Sequence, residues 1–347
     1  MPISLSSGRS TVAGPALRHA YLAGTGQALP SRVLRNRDFP PSLNTDDGWI
    51  HSRTGIRERR IASAEETSAS LGVAASRHAL AAAGLSPRDL DLIIFATVTP
   101  ESSVPSNACR VQGALGCRPI GAFDVSGACT GFVQGLTIAS QFIATGTCEN
   151  VLVVGADVLS RTVDYTDRTT CILFGDGAGA VVLSATGQTD YGIRWSRLFS
   201  DGQRSDLIWM PSHVTDKGPP LTGSDGPTAT HPKAIWLNGR EVFKFAVRCL
   251  IALVQEMLTS VSFPTGDRVF LVPHQVNQRI LDAALPELAI PPDRVIVNLD
   301  RYGNTSAASV PVALDEACRG RMVGPGDHLL LVAFGGGMTW GGTVLSL

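Results

Sequence analysis

The stretch Ala122–Phe132, AFDVSGACTGF, joins a run of strand character to one of helical character through small residues around Cys129. A second stretch of the same build, VIVNLDRYGNTSAAS at Val295–Ser309, centres on Asn304, 175 residues further on. The flanking apolar runs repeat as well. DLIIFAT at Asp91–Thr97 is answered by DRVFLVP at Asp267–Pro273, an offset of 176, and the VLVV beginning at Val151 by the LLLV beginning at Leu329, an offset of 178. Nearly constant offsets are the mark of an internal duplication. Strands alternating with helical stretches place the chain in the α/β class. We read residues 20–187 and 188–347 as two copies of one βαβ-containing unit behind a loose tail, residues 1–19, with the first copy's extra residues at 157–170. Cys129 and Asn304 then occupy equivalent strand-to-helix turns and face one another across a pseudo-twofold axis.

Working outward, strand signals fall near Ala20–Gly26 and at Asp91–Thr97, Gly121–Val125, Val151–Gly155, Ala178–Leu183, Val269–Val272, Val295–Leu299, His328–Phe334 and Thr343–Leu347. Helical spacing marks Thr67–Ala83, Cys129–Thr145, Glu241–Val261 and Ser306–Arg319. The polar, Gly/Pro-rich run Ser212–Pro232 reads as a surface excursion. With 44% hydrophobic residues the chain is too apolar to stay disordered, and its net charge of -1 supplies no positive field for nucleic acid or an anionic membrane. No apolar stretch approaches the ~20 residues that span a bilayer. The N-terminus lacks the basic start and apolar core of a signal peptide, and the seven cysteines show no CxxC spacing. These features point to a reducing cytoplasm, without disulfides, a metal site or membrane insertion. Only three lysines occur, Lys217, Lys233 and Lys244, which leaves little room for imine chemistry.

Three residues carry candidate chemistry. Cys129 sits where a helix begins, between Gly127, Ala128 and Gly131, so exposed amide N–H groups and the helix dipole are expected to lower its pKa and create a nucleophile. The other six cysteines read as inert packing. His274 follows the apolar run VFLVP and should emerge at the C-terminal end of a strand, where α/β sites gather. There it can donate a hydrogen bond from Nε2 or act as acid or base. Asn304, at a Gly-preceded turn, is by default a helix N-cap, yet its amide N–H₂ is also a neutral donor able to share an oxyanion with His274. Arg57, Arg59 and Arg60 (RERR) read as a solvated cluster or a subunit contact.

Together, GACTGF, FGDGAGAVVL, VPHQVNQRI, DRYGNTSAASVPVALDEA and AFGGGMTWG, preceded by WIHSRTGIRERRI, resemble the β-ketoacyl-acyl-carrier-protein synthase III family of the thiolase fold over about residues 20–347. The resemblance implies a layered α-β-α-β-α arrangement, a homodimer, and no cofactor beyond CoA thioesters as substrates. It implies that Cys129, His274 and Asn304 form the family's Cys-His-Asn set. Cys129 takes an acyl group from acyl-CoA; a malonyl thioester on acyl carrier protein enters and loses CO₂; and the enolate, held by His274 and Asn304, attacks the acyl-cysteine. The backbone N–H groups of Cys129 and Gly336 are expected to form a second oxyanion hole. For CoA, Trp49 and Arg168 are expected to sandwich the adenine, Arg53 to meet the phosphates, Arg279 to lie at the tunnel mouth, and Asn277 and Gly239 to bond the pantetheine amides.

Departures from the family pattern carry expectations of their own. Pro286 and Glu287 stand where some members have a Lys pair for docking the carrier protein, although Lys244 and Arg279 remain. Val104 replaces the Phe at the pocket floor of acetyl-preferring members, so primers longer or more branched than acetyl are expected. An acyltransferase that moves the acyl group to an alcohol or amine without condensation is the alternative, disfavoured because only an enolate needs the Asn304 donor. A noncatalytic partner subunit would lack the cysteine. A dinucleotide oxidoreductase is a poor fit, because GTGQAL lacks the third glycine of its fingerprint.

Overall fold

The computed structural model describes residues 18–210 and 234–347; nearly all of the tail and the whole of the Ser212–Pro232 excursion lie outside the described residues. Two sheets form the frame. The first runs in the order His19–Ala28, Asp176–Thr186, Asn150–Val158, Leu92–Ala96, Gly121–Val125, and the second in the order Val269–Pro273, His328–Gly335, Thr339–Ser346, Gly192–Ser200. In each, the strand carrying the repeated apolar run pairs in parallel with its neighbour: Leu92–Ala96 with Asn150–Val158, and Val269–Pro273 with His328–Gly335. Parallel strands covered on both faces are expected to be apolar throughout, as LIIFA and LLLVAF are.

Side-chain alternation along these strands builds the layers. Leu92 and Ile94 join Leu329, Leu331 and Ala333 of the other sheet in a central core that encloses helices Gly131–Ala144 and Ser309–Arg319. Ile93 and Phe95 point the opposite way, onto helices Ser68–Ala83 and Asn107–Leu115. Leu330 and Val332 point outward onto helices Gly239–Ser260 and Gln278–Ala284. The result is the expected helix, sheet, helix, sheet, helix stack. Each such side chain fully buried stabilises the fold by ~1.5–3 kcal/mol relative to exposure.

Three expectations need correction. Val295–Leu299 is not a strand; it makes one parallel bridge, Leu271 to Val295, before turning into a short helix at Leu299–Tyr302. The buried Gln275 side chain is the cause. Its Oε1 accepts the N–H groups of Asn298 (3.1 Å) and Leu299 (3.2 Å), and its Nε2 donates to the carbonyls of Pro273 and Ile296. Those amides are thereby withdrawn from any ladder. GTGQAL does not follow a strand but lies mostly within His19–Ala28. A Cβ at Gly24 or Gly26 would fall 2.4 Å from the carbonyl oxygen of Ala79 or Ala75, so these glycines allow the helix Ser68–Ala83 to lie on the sheet. Arg59 is not solvated: it is fully buried, donates to the Leu34 and Ile172 carbonyls and to Asn36 Oδ1, and packs over Phe39. Burial lowers its pKa to about 10, which leaves it charged at neutral pH. Three oxygen acceptors and a ring take the place of water.

Candidate active site

Where the two sheets meet, the strand-to-helix turns of both halves open into one cavity of about 1490 Å³. Cys129, His274, Asn304 and Gly336 line its inner end, and Trp49, Arg53, Arg168, Gly239, Asn277 and Arg279 line it as well. Val104 does not. It is 85% exposed on the outer surface, although its neighbours Ser102 and Ser103 reach the cavity.

Cys129 lies in a 3-10 turn, Ala128–Thr130, that leads into helix Gly131–Ala144. Small residues are needed there for contact reasons. A Cβ on Gly127 would overlap Gln134 Oε1 at 1.9 Å, and one on Gly335 would come within 2.9 Å of the Cys129 nitrogen. The Gly335–Gly337 run therefore lets the end of strand His328–Gly335 abut the cysteine. Ala128 adopts φ 46°, a left-handed conformation that L residues rarely take and that clusters at functional sites. The expected depression of the thiol pKa is not what the surroundings produce. Burial pushes the Cys129 thiol up to about 12, the Ser306 hydroxyl opposes the rise, and the charge of Asp157 adds to it. Loss of solvation outweighs the dipole of one helix.

His274 continues the second sheet's ladder by donating its N–H to the Val332 carbonyl at 2.7 Å. Its ring is buried, edge-on to Phe334, with Nδ1 2.5 Å from Ser309 Oγ. Ser309 Oγ also accepts from the Gln275 N–H at 3.4 Å, so its own proton goes to the only acceptor it meets among the described residues, Nδ1. The proton of the neutral ring then resides on Nε2, which has no partner among the described residues. Burial lowers the ring pKa to about 3, so the imidazole is neutral throughout the physiological range. His274 is thus a fixed neutral donor.

Asn304 is pinned from both sides. Its N–H donates to Leu173 (2.8 Å) and its carbonyl accepts from Gly175 (3.0 Å), a parallel bridge to Phe174. Gly303 precedes it at φ 65°, where a Cβ would meet the Leu173 carbonyl at 2.7 Å. The side-chain Oδ1 accepts from the Ser306 N–H at 2.8 Å. This bond to the residue two further on is a local turn and not a helix cap, since Thr305 holds the N-terminal position of the 3-10 helix Ser306–Ala308; it fixes the amide so that Nδ2 remains for the cavity.

At the mouth, Trp49 lies in the helix Asp47–Thr54, whose N-terminus is capped by Asp46. The guanidiniums of Arg53 and Arg168 stack on its ring at 4.3 and 4.9 Å. Arg168 also donates to the Asn44 carbonyl at 2.5 Å. A base entering between Trp49 and Arg168 has to displace that guanidinium. Asn277 caps the helix Gln278–Ala284 through Oδ1, which leaves its N–H₂ for a ligand. Among the described residues no helix is long and apolar enough to cross a membrane, and no group of His, Cys, Asp or Glu could hold a metal ion.

Sequence reasoning passed over Ser309, which sets the His274 tautomer, and Asp157 and Ser306, which meet Cys129 from the other side. Both serines stand in the quoted GNTSAAS run, and one turn of spacing between Ser306 and Ser309 was the available signal. Asp157 stands near the end of strand Asn150–Val158, separated by Leu92–Ala96 from the strand that leads to the cysteine; an acid after an apolar run gave no further hint.

Comparison with known proteins finds relatives over most of the chain. Family profiles described as 3-oxoacyl-[acyl-carrier-protein (ACP)] synthase III and as its C-terminal region match residues 123–202 and 259–347. The beta-ketoacyl-[acyl-carrier-protein] synthase III of Xanthomonas campestris is 46% identical over 327 residues, covering 94% of this chain and 98% of that protein. Among solved structures, the 3-oxoacyl-[acyl-carrier-protein] synthase III of Aquifex aeolicus superposes with a TM-score of 0.86 at 42% identity, covering 94% of this chain and all of that one. A priming beta-ketosynthase of a polyketide biosynthetic pathway superposes at 0.88 with 34% identity, covering 97% and 99%. A five-layer fold, a thiol, an imidazole and a carboxamide lining one cavity, and near-complete alignment at this identity lead to one assignment: the chain belongs to the β-ketoacyl-acyl-carrier-protein synthase III family.

Proposed function

We propose that the protein catalyses decarboxylating condensation of an acyl-CoA primer with malonyl-acyl carrier protein, through an acyl-Cys129 intermediate, and so starts a fatty acid or polyketide-type chain. The observation that carries this reading is the pairing of two neutral donors, His274 Nε2–H and the Asn304 amide, in the cavity that holds Cys129. Loss of CO₂ from the malonyl group leaves an enolate oxygen, and each preorganised donor aimed at such a charge lowers the barrier by ~3–4 kcal/mol. A transfer to an alcohol or amine would need a base at that place, and His274, protonated at Nε2, is not one. The Cys129 and Gly336 N–H groups are assigned to the tetrahedral adducts on the cysteine. CoA thioesters are substrates here, not resident cofactors, and the reaction is a cytoplasmic one.

The test is to supply acyl-CoA and malonyl-acyl carrier protein together and weigh the carrier product. A product one acyl group plus two carbons heavier than the free carrier supports condensation. Accumulation of acyl-enzyme without carbon–carbon bond formation overturns it.

CoA binding is assigned to Trp49, Arg53, Arg168, Gly239, Asn277 and Arg279. Stacking on Trp49 is worth ~0.5–2 kcal/mol by the strength of such contacts. Trp49→Ala is therefore expected to raise KM for acyl-CoA roughly two- to thirtyfold at nearly unchanged kcat, and an unchanged KM would remove the indole from the CoA site.

Val104 is assigned to the acyl pocket of a second copy. So exposed an apolar side chain beside the cavity loops is expected to be covered in the assembled protein, and a homodimer covers it. With Val104 of the partner subunit rather than an aromatic ring at the pocket floor, butyryl- to octanoyl-CoA should outcompete acetyl-CoA. A monomer by light scattering, or a clear preference for acetyl-CoA in direct competition, would sink this assignment.

A further inference from the structure

An acyl-cysteine is an activated thioester, and between the two half-reactions it waits in a cavity with ample room for water. Its survival depends on which bases stand around it. Two carboxylates line the cavity, and both are engaged at helix starts. Glu101 Oε1 accepts the Ala69 N–H (2.8 Å), and Asp124 accepts the N–H groups of Asn107 and Ala108 (2.8 Å each). Lys244, also on the lining, is paired with Glu241 at 2.7 Å. Among the described lining residues, the imidazole of His274 is then the one neutral side chain with a basic nitrogen. Whether it acts as a base toward the cavity depends on where its single ring proton sits.

Ser309 settles that position. It opens the helix Ser309–Arg319, yet its hydroxyl caps nothing there and turns to His274 instead. With the ring proton on Nε2, every group is used: the Gln275 N–H donates to Ser309 Oγ (3.4 Å), and the hydroxyl donates to Nδ1 (2.5 Å). With the ring proton on Nδ1, that N–H would donate to Oγ, and the serine's own proton would have no acceptor among the described residues. Ser309 is only 2% exposed, so bulk water does not relieve it. An orphaned buried hydroxyl disfavours the second state by about tenfold or more. Nε2 is the nitrogen left over, without a partner among the described residues.

We propose that Ser309 is a positioning residue that keeps His274 a donor and so protects acyl-Cys129 from water until the malonyl thioester arrives. This rests on the condensing reading above. A ring with its proton on Nδ1 would present a lone pair at Nε2. That nitrogen would take one proton from a water molecule while the water oxygen bonds to the acyl carbonyl carbon. The carbon–sulfur bond would then break, and the Cys129 sulfur would recover the proton from Nε2. The net change is a free carboxylic acid and an idle cysteine, with no carbon–carbon bond made. A ring with its proton on Nε2 does not begin this sequence, and the same N–H is the donor that the enolate needs. One hydroxyl thus selects condensation over hydrolysis.

Ser309→Ala should release the choice of tautomer. In protein carrying isotope-labelled imidazole nitrogens at neutral pH, the wild-type His274 signals, identified by their loss in His274→Ala, should be those of the Nε2–H form. Ser309→Ala should add a clear share of the Nδ1–H form. Acyl-Cys129 made with butyryl-CoA and freed of excess reagent should lose its acyl mass at least about tenfold faster in Ser309→Ala than in the wild type, the low end of what a positioned base contributes. Condensation with malonyl-acyl carrier protein should fall by roughly two- to tenfold in the same variant, as fewer rings present the donor. Ser309→Thr keeps the hydroxyl and should return both rates to near wild type. A smaller rise in hydrolysis, an unchanged tautomer, or an equal rise in Ser309→Thr overturns the assignment, the last because loosened packing would then account for it. Should Ser309→Thr not fold, Ser309→Cys, a weaker donor, takes its place and should hydrolyse more slowly than the alanine variant; an equal rate counts against the assignment in the same way. A wild-type protein that never forms acyl-Cys129 would instead defeat the condensing reading, and the imidazole spectrum would still decide the tautomer.

Discussion

Cys129→Ala is expected to form no covalent adduct with any acyl-CoA and to lose condensation by roughly ten-thousand-fold or more, the scale seen when a covalent nucleophile is deleted. Intact mass after incubation with a panel of acyl-CoAs reads the first effect: a mass gain that persists in the alanine variant would place the nucleophile elsewhere. The wild-type thiol carries a pH signature of its own. Because burial holds its pKa up near 12, only the small thiolate fraction reacts with a neutral alkylating agent at neutral pH. That fraction grows tenfold per pH unit, so alkylation of Cys129 should climb without a plateau from about pH 7 to about pH 10. A plateau near neutrality would mean that the helix dipole prevails over desolvation after all.

His274→Ala and Asn304→Ala should each slow condensation of a preloaded acyl-enzyme by roughly a hundred- to a thousandfold, the cost of one lost oxyanion donor, while leaving Cys129 acylation within about tenfold. The asymmetry follows from what the two donors face: charge that develops only when CO₂ departs. Asn304→Ala also loses the side-chain bond to the Ser306 N–H, a stability cost of ~1 kcal/mol, and should melt somewhat lower. The histidine brings a stability effect of its own, with a definite sign. Its folded pKa, about 3, lies below the ordinary imidazole value of 6.5, so as pH falls below 6.5 the unfolded chain takes a proton that the folded one refuses. The stabilisation is intact above 6.5 and drains away as the pH falls toward 3. Melting temperature against pH should therefore slope less steeply over that window in His274→Ala than in the wild type. Equal loss of acylation and condensation in either variant would remove the enolate assignment.

The layered frame was legible because it depends on period. Residues such as Ile93, Ile94 and Phe95 are apolar on both sides of their strand, while the expected equivalence of the two turns does not extend to their approach, since a strand leads to Cys129 and a short helix to Asn304. Contacts between distant segments were not legible. Nothing near Val295 announces that Gln275, twenty residues earlier in the chain, will take the amides of Asn298 and Leu299 and end the pairing after one bridge. Arg59 looked solvated because acceptors from Leu34, Asn36 and the distant Ile172 cannot be seen from one charge run. The cysteine's acidity failed for a related reason. A helix start is visible in sequence, whereas the depth at which it is buried, and the presence of Asp157 beside it, belong to the assembled molecule.

The short bridge from Phe174 to Asn304 has a wider meaning. Sulfur and carboxamide descend from opposite ends of the gene, yet the segment bearing the sulfur's own sheet grips the carboxamide by its backbone. Neither terminal portion, expressed by itself, encloses a reaction chamber, and a chimera that grafts one portion from a relative inherits function only if that stitch closes in register.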